Sequence, residues 1–80
     1  MTTTAYILIE TNVGKSREVA EILRGLEGVQ TVDNVTGPYD IITVLSATDL
    51  AAVGETVTNN IHVINGITRT VTCLTVGSGQ

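Results

Sequence analysis

Twice along this chain a short apolar run gives way to helical spacing and then, past a glycine, to a run rich in β-branched residues. The first apolar run is Ala5 to Ile9, bounded by Thr4 and Glu10. It is long enough for a strand and too short for a helix. Thr11-Asn12-Val13-Gly14 breaks it with turn-type residues. From about Ser16 the period changes. Val19, Ile22, Leu23 and Leu26 fall at i, i+3, i+4 and i+7, one face of a helix, with Arg17, Glu21 and Arg24 opposite. Gly25 weakens that helix, and Gly28 is its natural C-terminal stop. Val29 to Val35 then alternates, with Val29, Thr31, Asp33 and Val35 on one side and Gln30, Val32 and Asn34 on the other. That pattern reads as an edge strand.

The second half repeats the order. Thr36-Gly37-Pro38 is a turn, and Tyr39 to Leu45 a third strand. Ser46-Ala47-Thr48-Asp49 offers N-cap residues for a second helix, whose stripe is Leu50, Val53, Val57, Ile61 and Ile64. Gly54, Thr56, Thr58, Asn59 and Asn60 are poor helix formers, so packing must hold this helix. Asn65-Gly66 ends it as Glu27-Gly28 ends the first, Ile67 to Val76 forms the last strand, and residues 77–80 are a frayed tail. The expectation is a single domain over residues 1–80, its core at about 4–76, with an α+β fold of ferredoxin-like β-α-β-β-α-β type. Two right-handed crossovers in one sheet place both helices on the same face. The other face is left bare.

A face open to water should alternate cleanly between apolar and polar residues. Here Tyr6 and Leu8 oppose Ala5, Ile7 and Ile9, while Ile42 and Val44 oppose Ile41 and Leu45. Both sides are apolar, and two helices cover one. An 80-residue chain buries only about 60% of its unfolded surface, yet 42% of this one is hydrophobic with no Trp or Phe. Tyr6, Leu8, Ile42 and Val44 are therefore expected to form a dimer interface, sheet against sheet, in the manner of a dimeric α/β barrel. A modestly greasy monomer is the alternative, and the recurrence of the pattern on two strands weighs against it.

Charge and chemistry narrow the function. Four Lys+Arg against eight Asp+Glu give a net charge of −4, and Lys15, Arg17, Arg24 and Arg69 form no basic run with which to grip phosphates. One cysteine, Cys73, has no internal disulfide partner and reads as a small buried apolar residue. His62 lies off the second helix's stripe and reads as a solvent-facing surface residue. No metal-ligand cluster, phosphate-binding glycine loop or Ser-His-Asp order can be built, so neither metal nor cofactor is expected and no catalytic residue is assigned. The absence of a signal segment or long apolar run points to a cytoplasmic protein.

The stretch Val35-Thr36-Gly37-Pro38-Tyr39-Asp40 says most about function. Gly37 permits close backbone approach, Pro38 stiffens the loop, and Tyr39 and Asp40 set a phenol and a carboxylate at its mouth. From these residues alone, a plain turn and a ligand site stay equally open. Arg69, between Thr68 and Thr70 on the last strand, is either a solvated edge residue or an interface cation.

The run Val35 to Ile41, then Asp49-Leu50, Ile64-Asn65-Gly66-Ile67 and Arg69-Thr70 resembles the effector-binding domain of Lrp/AsnC regulators, also called the RAM domain. The resemblance covers about residues 5 to 76. It implies dimers joined through their sheets, rings of dimers (often octamers), and an amino acid effector bound between dimers. Thr36, Gly37, Pro38, Tyr39 and Asp40 then correspond to the ligand loop, and Arg69, Thr70 and Thr72 to the strand facing it. Those regulators carry an N-terminal helix-turn-helix, whereas here the first strand begins at about residue 4. This implies a stand-alone form without direct nucleic-acid binding, whose output partner could be a full-length regulator of the same family. Two other classes share the topology: small dimeric α/β-barrel enzymes of monooxygenase or isomerase type, and ACT-like regulatory domains that join sheets edge to edge.

Overall fold

The computed structural model describes residues 2–76. Its strands are β1 (Thr3–Thr11), β2 (Val29–Asn34), β3 (Ile41–Ala47) and β4 (Ile67–Leu74), and its helices α1 (Ser16–Arg24) and α2 (Leu50–Thr56), the latter running into a π-helical turn at Val57–Ile61. The strands form one antiparallel sheet in the order β2-β3-β1-β4. This is the ferredoxin-like β-α-β-β-α-β architecture.

Alternation in the two central strands decides where the core lies. Ala5, Ile7 and Ile9 of β1 and Ile41, Thr43 and Leu45 of β3 are buried under the helices. Val19, Ala20 and Leu23 of α1, Val53 of α2, Ile61 and Ile64 complete one cluster with them. Thr43 is the one buried polar residue among those described, and its hydroxyl donates to the Thr31 carbonyl. That bond removes the cost of burying an unpaired hydroxyl. Asp49 caps α2 from an extended backbone, its side chain accepting from the Ala52 N–H at 2.8 Å.

Tertiary contacts shift several boundaries. β1 runs two residues past each end of its apolar run, because Thr3 and Thr4 pair with β3, and Glu10 and Thr11 with β4. β3 begins at Ile41 rather than Tyr39. A bond from the Val35 N–H to the Asp40 carbonyl (2.9 Å) closes a loop that keeps Tyr39 and Asp40 out of the ladder. β2 stops at Asn34, and its register slips between Val29 and Thr31. The slip lets Val29 and Val32 both pack on the core although strict alternation separates them.

The helices depart further. α1 ends at Arg24 with Gly25 as its C-cap, and buries Ala20 in place of Ile22, which is 44% exposed. Full burial of an aliphatic side chain is worth roughly 1.5–3 kcal/mol, a little under half of which Ile22 forgoes. Leu50, the head of the expected second stripe, is exposed. The weak helix formers from Thr56 to Asn60 lie where the backbone widens into the π turn, and Ile61 and Ile64 beyond it still reach the core. The expected tail, 77–80, lies outside the described residues.

Gly28 does more than stop a helix. Its φ is +90°, and a Cβ there would lie 2.9 Å from the Ser46 carbonyl oxygen. Its own carbonyl accepts the Ser46 N–H at 2.8 Å, locking the start of β2 to β3. Gly28→Ala should therefore cost about 2 kcal/mol, some 8–16 °C in Tm for a domain of this size. Gly54, in α2 with open space around its Cβ position, gives the contrast: Gly54→Ala should add about 0.5–1 kcal/mol. Thermal unfolding at matched protein concentration measures both. A Gly28→Ala protein as stable as wild type would contradict the contact.

Candidate functional site: the β2–β3 loop and the open sheet face

Residues 35–40 lie at the end of the sheet where β1 finishes and β4 begins, since Ile9 pairs with Ile41 and Thr11 with Ile67. The loop is anchored at its stem. Besides the Val35–Asp40 bond, the Asp40 N–H donates to the Ile9 carbonyl at 2.9 Å. Asp40 Oδ2 accepts from the Thr11 N–H at 2.8 Å and from the Thr11 hydroxyl at 3.3 Å. A carboxylate receiving a backbone N–H is a strong, charge-assisted contact. Asp40 thus ties the loop to the irregular end of β1, a role invisible in the sequence because the partners are 29 residues apart. A carboxylate has about four acceptor positions, so two bonds at Oδ2 leave capacity for a further donor.

At the tip, Thr36, Gly37 and Pro38 are exposed. Gly37 has φ +147°, and a Cβ added there would meet nothing within 4 Å. The backbone conformation, not crowding, calls for glycine. Tyr39 is half-buried, and the Arg69 guanidinium lies over its ring at 5.8 Å from the centroid.

Of the three β4 residues expected to face the loop, the fold brings Arg69 alone to it. Arg69 is opposite Glu10 on the open face of the sheet. Thr70 and Thr72 pair with Ile9 and Ile7, whose side chains are buried on the helix side. Thr70 Oγ1 is hydrogen-bonded to His62 Nε2, so the exposed histidine has a partner after all. Successive strand residues point to opposite faces, which separates Arg69 from its two threonine neighbours.

The open face itself is a continuous apolar strip. Leu8 has Ile42 on one side and Val71 on the other, and Tyr6 has Val44 and Cys73. Leu8, Ile42 and Val44 are half-buried and Tyr6 is 45% exposed. The four residues expected at an interface thus share the side that the helices leave bare. Cys73, expected in the interior, is exposed. β4 is an edge strand whose open-face side chains have no helix above them. Val71 and Cys73 extend the strip; only their alternation with Thr70 and Thr72 hinted at it.

Among the described residues no group of three His, Cys, Asp or Glu could hold a metal ion. No helix among them is long and apolar enough to cross a membrane.

A family model described as the Lrp/AsnC ligand binding domain matches residues 4–78. An uncharacterised HTH-type transcriptional regulator of Pyrococcus horikoshii is 34% identical over 73 residues, 88% of this chain and 49% of that protein. The chain thus spans about half the length of the curated relative it matches. The crystal structure of a hypothetical protein from Pyrococcus horikoshii superposes with a TM-score of 0.87 at 33% identity, covering 95% of this chain and 90% of that one. A Neisseria meningitidis transcriptional regulator, solved as a complex with L-Met, has a TM-score of 0.85 at 19% identity, over 98% of this chain and 52% of that one. At that identity the likeness is one of fold.

Proposed function

Because the chain belongs to the Lrp/AsnC ligand-binding domain family, we propose that it is an effector-binding and oligomerisation module related to those regulators, with a small amino acid as its effector. The observation that carries this reading is the anchored 35–40 loop. An α-ammonium needs an anion or carbonyls, and an α-carboxylate needs N–H donors or a cation. Asp40 supplies the first, the exposed backbone around Gly37 the second, on a stem held by four hydrogen bonds. The L-Met bound by the Neisseria protein is of the same ligand class.

The effector would sit at a junction between protomers, because no cavity opens among the described residues of one protomer. Thr70 and Thr72, on the helix side of β4, would reach it from a neighbouring copy. Tyr6, Leu8, Ile42 and Val44 would pair two sheets into a dimer, and dimers would close into a ring. The module would work in the cytoplasm, alone or with a full-length regulator of the family, and without chemistry of its own. With a net charge of −4, these 80 residues lack the electrostatic term for binding DNA.

A thermal-shift screen against the twenty amino acids, with mass followed by light scattering, tests the reading. A ligand at 100 times its Kd adds about 2.7 kcal/mol by mass action. At least one amino acid should therefore raise Tm by on the order of 10 °C. No response from any of the twenty would overturn the amino acid effector.

A further inference from the structure

Among the described residues, the loop's hydrogen bonds hold its two ends: Val35 to Asp40, and Asp40 to Ile9 and Thr11. Past that stem, the side chain that reaches the loop from another element is Arg69, over the Tyr39 ring. Arg69 has a carboxylate residue directly across the ladder, Glu10. Yet the only ion pair within 4.0 Å among the described residues is Lys15–Glu18, at 3.7 Å. Glu10 Oε1 instead accepts from the Thr68 hydroxyl at 3.4 Å. The guanidinium passes over its cross-strand acid to lie on an aromatic face, an arrangement that the planar arginine head adopts more often than a lysine ammonium.

From this geometry we propose that Arg69 is the positioning residue of the loop: it sets residues 35–40 through Tyr39. Tyr39 directly precedes Asp40, the anchored carboxylate, and is separated from Gly37 by Pro38 alone. Pro38 has its φ locked near −65°, so few torsions lie between the ring and the Gly37 backbone. Holding the ring therefore orients the peptide groups at the tip and the carboxylate at the stem together. The functional meaning of this rests on the effector reading above, but the test needs no effector.

Amide hydrogen exchange of Val35 and Asp40, measured by NMR on the ligand-free protein, reports opening of the stem. An exposed cation–aromatic contact predicts exchange about two- to fivefold faster in Arg69→Met, and equally so in Tyr39→Leu. The double variant should be no faster than the faster single, because both changes remove the same contact. Tyr39→Phe keeps the ring face and should exchange at the wild-type rate. An unchanged rate in Arg69→Met would overturn the proposal. So would an Arg69→Met acceleration that persists in full on the Tyr39→Leu background. Arg69→Gln, which removes the cation and with it the attraction to the ring, gives the same reading should Arg69→Met fail to fold. A flat amino acid screen would remove the effector and leave the exchange result standing; unchanged exchange would remove Arg69's role and leave the effector reading intact.

Discussion

If the open sheet faces pair as proposed above, replacing Leu8 by lysine should leave monomers or aggregates. Leu8 sits in the middle of the open face, flanked by Ile42 and Val71 in adjacent strands. A two-fold dimer built on this face uses the same patch from both copies. Each Leu8→Lys substitution therefore brings two ammonium groups into one apolar seam. Leaving a charge unpaired on burial costs roughly 3 kcal/mol or more, about two decades in the dimer dissociation constant. Val44→Lys, opposite Tyr6 in the next row, should behave alike. Ile22→Lys supplies the control: that side chain is as exposed as Tyr6 but lies on α1, and its replacement should leave the mass unchanged. Light scattering at micromolar concentration reads all three. A wild-type monomer, or a Leu8→Lys protein of wild-type mass, would sink the sheet-to-sheet dimer.

Substitutions at Asp40 should separate its contact to Thr11 from the ammonium binding proposed above. Asp40→Ala leaves the Thr11 N–H without its acceptor, and a hydrogen bond to a charged group is worth about 1.5–3 kcal/mol. The expected loss in Tm is on the order of 10 °C, together with any amino acid response. Asp40→Asn keeps an oxygen for Thr11 and removes only the charge. Its stability loss should be less than half as large, yet its response to the amino acid that shifts wild type should vanish, since an ammonium has lost its anion. An Asp40→Asn protein with the full wild-type shift would place the ammonium elsewhere. The loss of fold stability in Asp40→Ala follows from the Thr11 contact, which composition and motif alone do not disclose.

That contact marks where local reasoning ends. The order of elements was legible because the apolar run Ala5 to Ile9 is too short for a helix, while Val19, Ile22, Leu23 and Leu26 recur at i, i+3, i+4 and i+7, a spacing no strand face shares. The doubly apolar character of β1 and β3 was legible for the same reason, and it located the bare face through Tyr6, Leu8, Ile42 and Val44. The loop was legible as a candidate, because Gly37 and Pro38 are chosen by backbone torsions that act within one or two residues. The choice of Ala20 over Ile22 for the core was not, since it depends on how α1 lies against the sheet. Nor was the π turn at Val57–Ile61, where weak helix formers let tertiary packing set the backbone.

The sequence by itself determined the element order, the handed placement of both helices on one side, and which segments could carry a site. Only the tertiary structure decided that Asp40 is held by Thr11, that Arg69 leans on Tyr39 while Thr70 turns to His62, and that Cys73 faces outward. Each of the three contacts joins β1 or β4 to a loop or turn outside that strand, and the outward Cys73 follows from the face that β4 leaves open. Alternation shows that Arg69 and Thr70 point apart, but which of them meets the loop depends on the register of β4 against β1 and of β1 against β3. Register is set by the packing of a whole sheet face against its helices, and that packing exists only once the chain has folded.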